Sequence, residues 1–214
     1  ILPEAKDYKR IGEGDTGLNT GGMGAVSPVG FADKEFMKKV EDSVIKRTVI
    51  GIRKEKLDYK GFIFAGLMNV NGEPYVIEYN VRMGDPETQV VIPRIKNDLL
   101  NIFIKCLDEK INEVDLDIEN NFTTTVILAA NGYPESYKKG DDIRNLEEFS
   151  NSKIFHAGTK KENNRILSNG GRVIACTGYG ESLEDALKNS YKLANNISWD
   201  NKYWTIFSAF EQCF

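Results

Sequence analysis

The chain has 214 residues, of which 41% are hydrophobic, 28% charged and 10% aromatic, a composition that fills one large core or two small ones and excludes wholesale disorder. Twenty-eight basic residues against 32 acidic ones give a formal charge of −4, which offers nucleic acid no general attraction. No apolar run approaches the roughly 20 residues needed to cross a bilayer, and Asp7, Lys9 and Arg10 follow the first residues too closely for a signal peptide, so a cytoplasmic chain without membrane or nucleic-acid partners is expected. The one histidine, His156, and three scattered cysteines, Cys106, Cys176 and Cys213, exclude a His-rich metal site, zinc-ligand spacing and a disulfide framework. Chemistry here falls to carboxylates, amides, basic side chains and the backbone.

Residues 1–30 are rich in Gly, Thr, Asp and Asn and read as loop. Because the chain starts at Ile1, with its densest glycine segment almost at once, we expect a fragment of a longer protein. A helix is predicted from Asp33, which can cap it, with Phe36, Val40, Val44 and Thr48 at helical spacing. Residues 61–70 are apolar on both alternations, as in a strand covered on both faces. Asn71-Gly72 is a hairpin-turn signal, and Tyr75–Arg82 returns as the partner strand. Helices are predicted at Pro86–Ile92 and Asp98–Leu107, the second burying Leu99, Leu100, Phe103, Cys106 and Leu107. The polar, acidic stretch near 111–121 marks a candidate boundary. Beyond it come strand-like runs at Thr123–Ala130, Lys153–Thr159 and Arg172–Thr177, and a helix opened by the Ser182/Asp185 capping pattern. Tyr133, Pro134 and Tyr137 read as a turn, and His156, inside an apolar run, as structural.

On the strand 75–82 side chains alternate, so Glu78, Asn80 and Arg82 share a face opposite Tyr75, Ile77, Tyr79 and Val81. An acid, an amide and a guanidinium are costly to bury against a core. They make sense lining a cleft, where Glu78 and Asn80 can converge two oxygens on one magnesium ion that phosphates also ligate, with Arg82 forking onto an anion. The plainer reading is a solvent-facing edge carrying an ordinary Glu–Arg pair. Asp85 and Pro86 are explained equally by a helix cap or by contact with a substrate.

Thr16–Gly24 packs four glycines and two threonines into nine residues. Such a segment can cradle an anion with backbone N–H groups or serve only as a flexible connection. It is neither a Walker loop nor a Rossmann fingerprint. The flanking Asp7, Lys9, Arg10 and Asp15 read by default as a solvated charged loop.

Taken together, Asp7–Arg10, Gly14–Ala25, Glu78–Gln89, Phe155–Thr159 and Asn169–Val173 resemble the glycinamide ribonucleotide synthetases, the phosphoribosylamine–glycine ligases of the ATP-grasp superfamily. The resemblance runs from the start to about Trp199. It implies an α+β chain: residues 1–115 as the later part of an ATP-grasp domain, an antiparallel sheet with helices, and 116–214 as a small strand-rich C-terminal domain. It further implies joining of glycine to phosphoribosylamine with ATP and Mg2+ (or Mn2+), an early step of purine synthesis, and an N-terminal part of the same enzyme that these residues lack. Carried over by position, Glu78 and Asn80 match the metal ligands, Arg82 and Asp85 the catalytic positions, and Asp15, Thr20, Gly21 and Gly22 the substrate loop. Trp204–Phe210 departs from the family's usual ending. Another ATP-grasp carboxylate–amine ligase or carboxylase, or a non-catalytic remnant of the fold, remains open at this point.

Overall fold

A computed structural model describes residues 1–206; the atypical ending beyond Ile206, and Cys213, lie outside the described residues. In chain order the elements are β1 (Lys6–Gly12), β2 (Thr16–Ser27), α1 (Lys34–Val40), α2 (Lys46–Lys54), β3 (Phe64–Val70), β4 (Glu73–Asn80), α3 (Thr88–Val91) and α4 (Leu99–Leu107). They are followed by β5 (Phe122–Ala130), β6 (Asp142–Ile143), β7 (Ser152–His156), β8 (Thr159–Glu162), β9 (Arg165–Ser168), β10 (Arg172–Gly180), α5 (Leu183–Asn196) and β11 (Lys202–Tyr203). The chain forms two compact units: residues 1–28, 85–94 and 119–206 make one, and 29–84 with 95–118 make the other.

The larger unit is built on an antiparallel sheet in the order β1-β2-β5-β10-β7, with β11 also on β5. Thr123–Ala130 and Arg172–Thr177 form central strands as their alternation predicts, and Val126, Leu128, Val173, Ile174 and Cys176 are buried almost completely. Burial pushes the Cys176 thiol far above its ordinary range, so it stays a neutral apolar group. α5 closes one face: Ser182 Oγ accepts from the Asp185 N–H as its N-cap, and Ala186, Leu193 and Ala194 pack inward. A small second sheet, β6-β9-β8, turns through Asn163 and Asn164, both at positive φ. The expected single run 153–159 is therefore two strands, β7 ending at His156 and β8 starting at Thr159. His156 lies exposed at that end, its Nδ1 3.1 Å from Thr159 Oγ1.

The loop reading of residues 1–30 is corrected. β1 and β2 form a hairpin, and Gly24–Ser27 pair with Thr123–Val126. Glycine-rich composition hid the strand because glycine has little strand preference of its own, and here the pairing partners lie about a hundred residues away. The same pairing explains why the compact units cut the chain elsewhere than at 115/116: the first 28 residues complete the sheet of the last third.

The smaller unit carries α1, a π-helical turn (Glu41–Ile45), α2, the β3–β4 hairpin and α4. Asp33 caps α1 by accepting from the Phe36 N–H at 2.8 Å, and Asn71-Gly72 makes the predicted turn with φ of 54° and 80°. Two expectations fail. The hairpin is not covered on both faces, since Met68, Val70, Tyr75, Ile77 and Val81 are exposed. On α4 only Ile102 is buried, while Leu100, Phe103 and Leu107 are exposed, although the Phe103 ring meets Phe62 edge-on. An apolar stripe states that a face is suited to packing, not that its partner is among the described residues.

Gly178 tests the packing of α5 on β10. A Cβ there would sit 2.3 Å from both Ala186 O and Ser190 N, atoms of a helix backbone that cannot yield locally. Gly178→Ala is predicted to destabilise the larger unit by about 1–3 kcal/mol, read as a lowered urea midpoint with an unchanged slope.

Candidate functional site

In the smaller unit, β4 presents the carboxylate strand. Its register against β3 pairs Asn80 with Phe64 and Glu78 with Gly66, then skips Ile77 before pairing Val76 with Leu67. The bulge breaks the strict alternation read from sequence: Tyr75 and Val76 are offset by one, but Glu78 and Asn80 keep a common face. Asn80 Nδ2 donates to Glu78 Oε1 at 3.1 Å, so the two side chains reach the same point. Across the ladder Gly66 leaves room for that carboxylate, because a Cβ there would lie 2.9 Å from Glu78 Cγ. Arg82 falls just beyond the strand, exposed, its Nη1 donating to the Met83 carbonyl at 3.1 Å.

This donor set fits magnesium chemistry. One carboxylate and one amide oxygen, with the amide turned to bring Oδ1 round, supply two hard ligands and leave the remaining positions to water and phosphate. Among the described residues no three His, Cys, Asp or Glu side chains are grouped so as to hold a metal ion by themselves.

In the larger unit, the glycine segment sits inside β2 as a wide bulge. Tyr8 pairs with Gly24 and Arg10 with Asn19, so Thr20–Met23 oppose the single residue Lys9. Backbone groups pushed out of a ladder need other partners. Thr20 Oγ1 donates to Lys9 O (2.8 Å) and accepts from the Gly22 N–H (2.9 Å), while the Gly21 N–H donates to Tyr133 Oη (3.0 Å). Arg172 Nη1 donates to Gly21 O at 3.1 Å and also lies 3.4 Å from Gly22 O. The Gly21 and Gly22 N–H groups thus each have a hydroxyl partner within the chain. Asp15 does not join them; it occupies the β1–β2 turn at φ 59°, exposed. Its distance along β2 to Gly21 is about 20 Å at a strand's rise per residue.

Asp85 is brought to the same bulge. Arg172 Nη2 is 3.0 Å from Asp85 Oδ2, Nη1 is 2.9 Å from Asp85 O, and Gln89 Nε2 donates to Asp85 Oδ1 at 3.0 Å. Asp85 is not a helix cap, for α3 starts at Thr88 after Glu87. Gly22 permits the close approach of this segment: a Cβ there would lie 2.4 Å from Pro86 Cδ and 2.7 Å from Asp7 Oδ1.

Asp7, expected in a solvated loop, is instead sealed beneath the bulge, its side chain 8% exposed. Lys9 Nζ stands 2.6 Å from Oδ2, but neither carboxylate oxygen has an aligned hydrogen bond. Burial is the main cause that raises its pKa to about 6, and Glu87 adds to it, while Lys9 and Arg172 oppose it. Sequence reading missed Asp7, Tyr133 and Arg172 as supports of the bulge. The one local signal was Gly170-Gly171 ahead of Arg172: Gly171 lets the Tyr133 ring pass, where a Cβ would fall 2.2 Å from Tyr133 Cδ2.

Residues 1–88 match the family described as Phosphoribosylglycinamide synthetase, ATP-grasp (A) domain, and residues 123–204 match the Phosphoribosylglycinamide synthetase, C domain. The chain belongs to the phosphoribosylglycinamide synthetase family. A phosphoribosylamine–glycine ligase of Fusobacterium nucleatum is 44% identical over 210 residues, covering 95% of this chain and 49% of its own length. A bifunctional purine biosynthetic protein of Pichia angusta is 47% identical over 205 residues, 26% of that protein. The crystal structure of the Thermotoga maritima phosphoribosylamine–glycine ligase superposes with a TM-score of 0.82 at 36% identity, over 95% of this chain and 50% of that one. The chain therefore spans half or less of the length of these relatives. Biotin carboxylase domains, such as that of a thermophilic 2-oxoglutarate carboxylase (TM-score 0.65, 12% identity), share the fold alone. The synthetase family's antiparallel sheets with flanking helices are those described above, and no helix among the described residues is long and apolar enough to cross a membrane.

A carboxylate with a raised pKa contributes stability in its protonated form below its unfolded value of 3.8, and that contribution is lost as pH rises through about 6. Asp7→Asn is therefore predicted to gain little at pH 4 and to stabilise the chain at pH 7.5 by up to about 3 kcal/mol, measured by urea unfolding at both values. An equal gain at the two pH values would contradict the assignment.

Proposed function

We propose that the chain is part of an ATP-dependent phosphoribosylamine–glycine ligase, located in the cytoplasm, and acts with a nucleotide-binding N-terminal part of the same enzyme. The observation that carries this reading is the convergence of Glu78 and Asn80 on one face of β4, within a chain of the synthetase family. In family terms, 1–115 forms the later part of the grasp domain and 116–214 the small C-terminal domain; the two family matches leave their joint between 88 and 123.

In this reading a glycine carboxylate oxygen bonds to the γ-phosphorus of ATP while the bond to the ADP oxygen breaks. The amine of phosphoribosylamine then attacks the carbonyl carbon of glycyl phosphate, phosphate leaves, and the amine proton passes to phosphate or solvent. Both transfers demand positioning and charge neutralisation more than a protein base. Glu78 and Asn80 would hold Mg2+ or Mn2+, which when bound neutralises phosphate charge. Arg82 offers an exposed guanidinium, one nitrogen of which donates to the Met83 carbonyl, to phosphate oxygens, and Asp85 an exposed carboxylate to a substrate amine. Thr20, Gly21, Gly22 and Asp15 are assigned to the substrate loop by resemblance.

In a full-length ligase carrying this chain, ADP release from Mg-ATP is expected to require both glycine and phosphoribosylamine. Dependence on bicarbonate instead would assign it to the carboxylase branch. Glu78→Ala is predicted to lower turnover by about two orders of magnitude. Gly66→Ala, which forces the Glu78 side chain to shift, is predicted to raise the magnesium concentration needed for half-maximal rate. The chain without the remainder of the enzyme should release almost no ADP.

A further inference from the structure

The geometry points to Arg172 as a positioning residue of the ligase reaction, acting through Asp85: it holds that carboxylate and the Gly21 peptide in one fixed arrangement against which a substrate's amine is received. The inference rests on the ligase reading above and goes beyond it in assigning a role to a residue of the C-terminal segment.

Arg172 opens β10 at a register break, since Arg172 pairs with Ala129 and Ile174 with Leu128, leaving Val173 as the extra residue. A bulge at a strand's first turn re-aims the side chain that precedes it. Here the guanidinium lies flat on Gly21, where a Cβ would stand 3.0 Å from Cζ and 3.1 Å from Nη2. From there it reaches three different acceptors: Gly21 O, Asp85 O and the Asp85 carboxylate. A guanidinium can do this because its donors form a rigid planar fork, which a lysine ammonium lacks. On the preceding peptide, Tyr133 Oη accepts the Gly21 N–H. Gly21 is thus held through both peptide groups that flank its Cα, and Asp85 is fixed to it through the Arg172 side chain.

Stability alone is a poor explanation of this pairing. The Arg172 side chain is 20% exposed and that of Asp85 52%, and half-exposed ion pairs contribute little. What the pairing does set is direction: the Asp85 carbonyl is bound by Arg172 and its two carboxylate oxygens by Arg172 and Gln89, while half of the side chain stays exposed. A carboxylate held this way suits an ammonium or amine, the group common to glycine and phosphoribosylamine.

The test is steady-state kinetics of a full-length ligase carrying this chain, as Arg172→Met, Arg172→Lys, Asp85→Asn and the double variant Arg172→Met/Asp85→Asn. Arg172→Met is expected to raise KM for glycine or for phosphoribosylamine by about 10- to 100-fold while KM for Mg-ATP stays within about twofold. Whichever KM moves identifies the amine received. Arg172→Lys should recover only part of the loss, and the double variant should be no worse than Asp85→Asn alone, because both act on one group. If the Met variant does not fold, Arg172→Lys and its double with Asp85→Asn carry the same comparison. Unchanged KM values for both amines, or losses that multiply in the double variant, overturn the inference while leaving the ligase reading intact. Failure of the unsubstituted enzyme to release ADP with both substrates present overturns the ligase reading and the inference together.

Discussion

Every backbone polar group displaced from a sheet must find another partner, and the bulge of β2 makes that requirement acute. Four residues, Thr20–Met23, face Lys9 alone, in a strand that pairs with β1 along one side and with β5 over Gly24–Ser27 on the other. Among them, the Gly22 N–H is met by the Thr20 hydroxyl, the Gly21 N–H by the Tyr133 phenol and the Gly21 carbonyl by the Arg172 guanidinium. Tyr133 and Arg172 come from the other end of the chain, so the bulge holds its shape only because β5 and β10 are in place. Asp7 beneath it and Asp85 beside it take their surroundings from the same arrangement.

The smaller unit solves a different problem. β3 and β4 form a sheet of only two strands, which has little stability unless something covers it. α1 and α2 supply part of that cover, as the bond between the Thr48 and Tyr79 hydroxyls at 2.8 Å illustrates. The rest of the apolar surface on the hairpin and on α4 is open, and Glu78 and Asn80 project from this sparsely covered sheet. The metal-binding pair proposed on this strand is easily reached by a phosphate chain, which a core strand would forbid.

Much of this was legible in the residues. Asn71-Gly72 announced its turn, Asp33 and Ser182 their caps, and the spacing of Glu78 and Asn80 their shared face, because each depends on neighbours within a few positions. What stayed hidden depends on distant ones. Residues 16–24 read as loop since nothing local reveals a partner at 123–126. The burial of Asp7, the grip of Arg172 and the break at Ile77 are products of register, which period-2 reasoning assumes to be unbroken. The exposed stripe of α4 failed for the opposite reason: its pattern was read correctly, but a pattern does not say which surface will cover it.

The interleaving of the two units sets a timetable for synthesis. β1 and β2 leave the ribosome well before the strand that anchors them, since β5 begins only at Phe122. At about 5–20 residues per second the hairpin waits roughly 5–20 s for its neighbour, and longer for β10 and α5. Through that interval its unpaired edge is open to other nascent chains, and the glycines that later allow the bulge also keep the waiting segment weakly strand-forming. The same residues that shape the finished sheet therefore delay its nucleation until the carboxyl-terminal strands arrive.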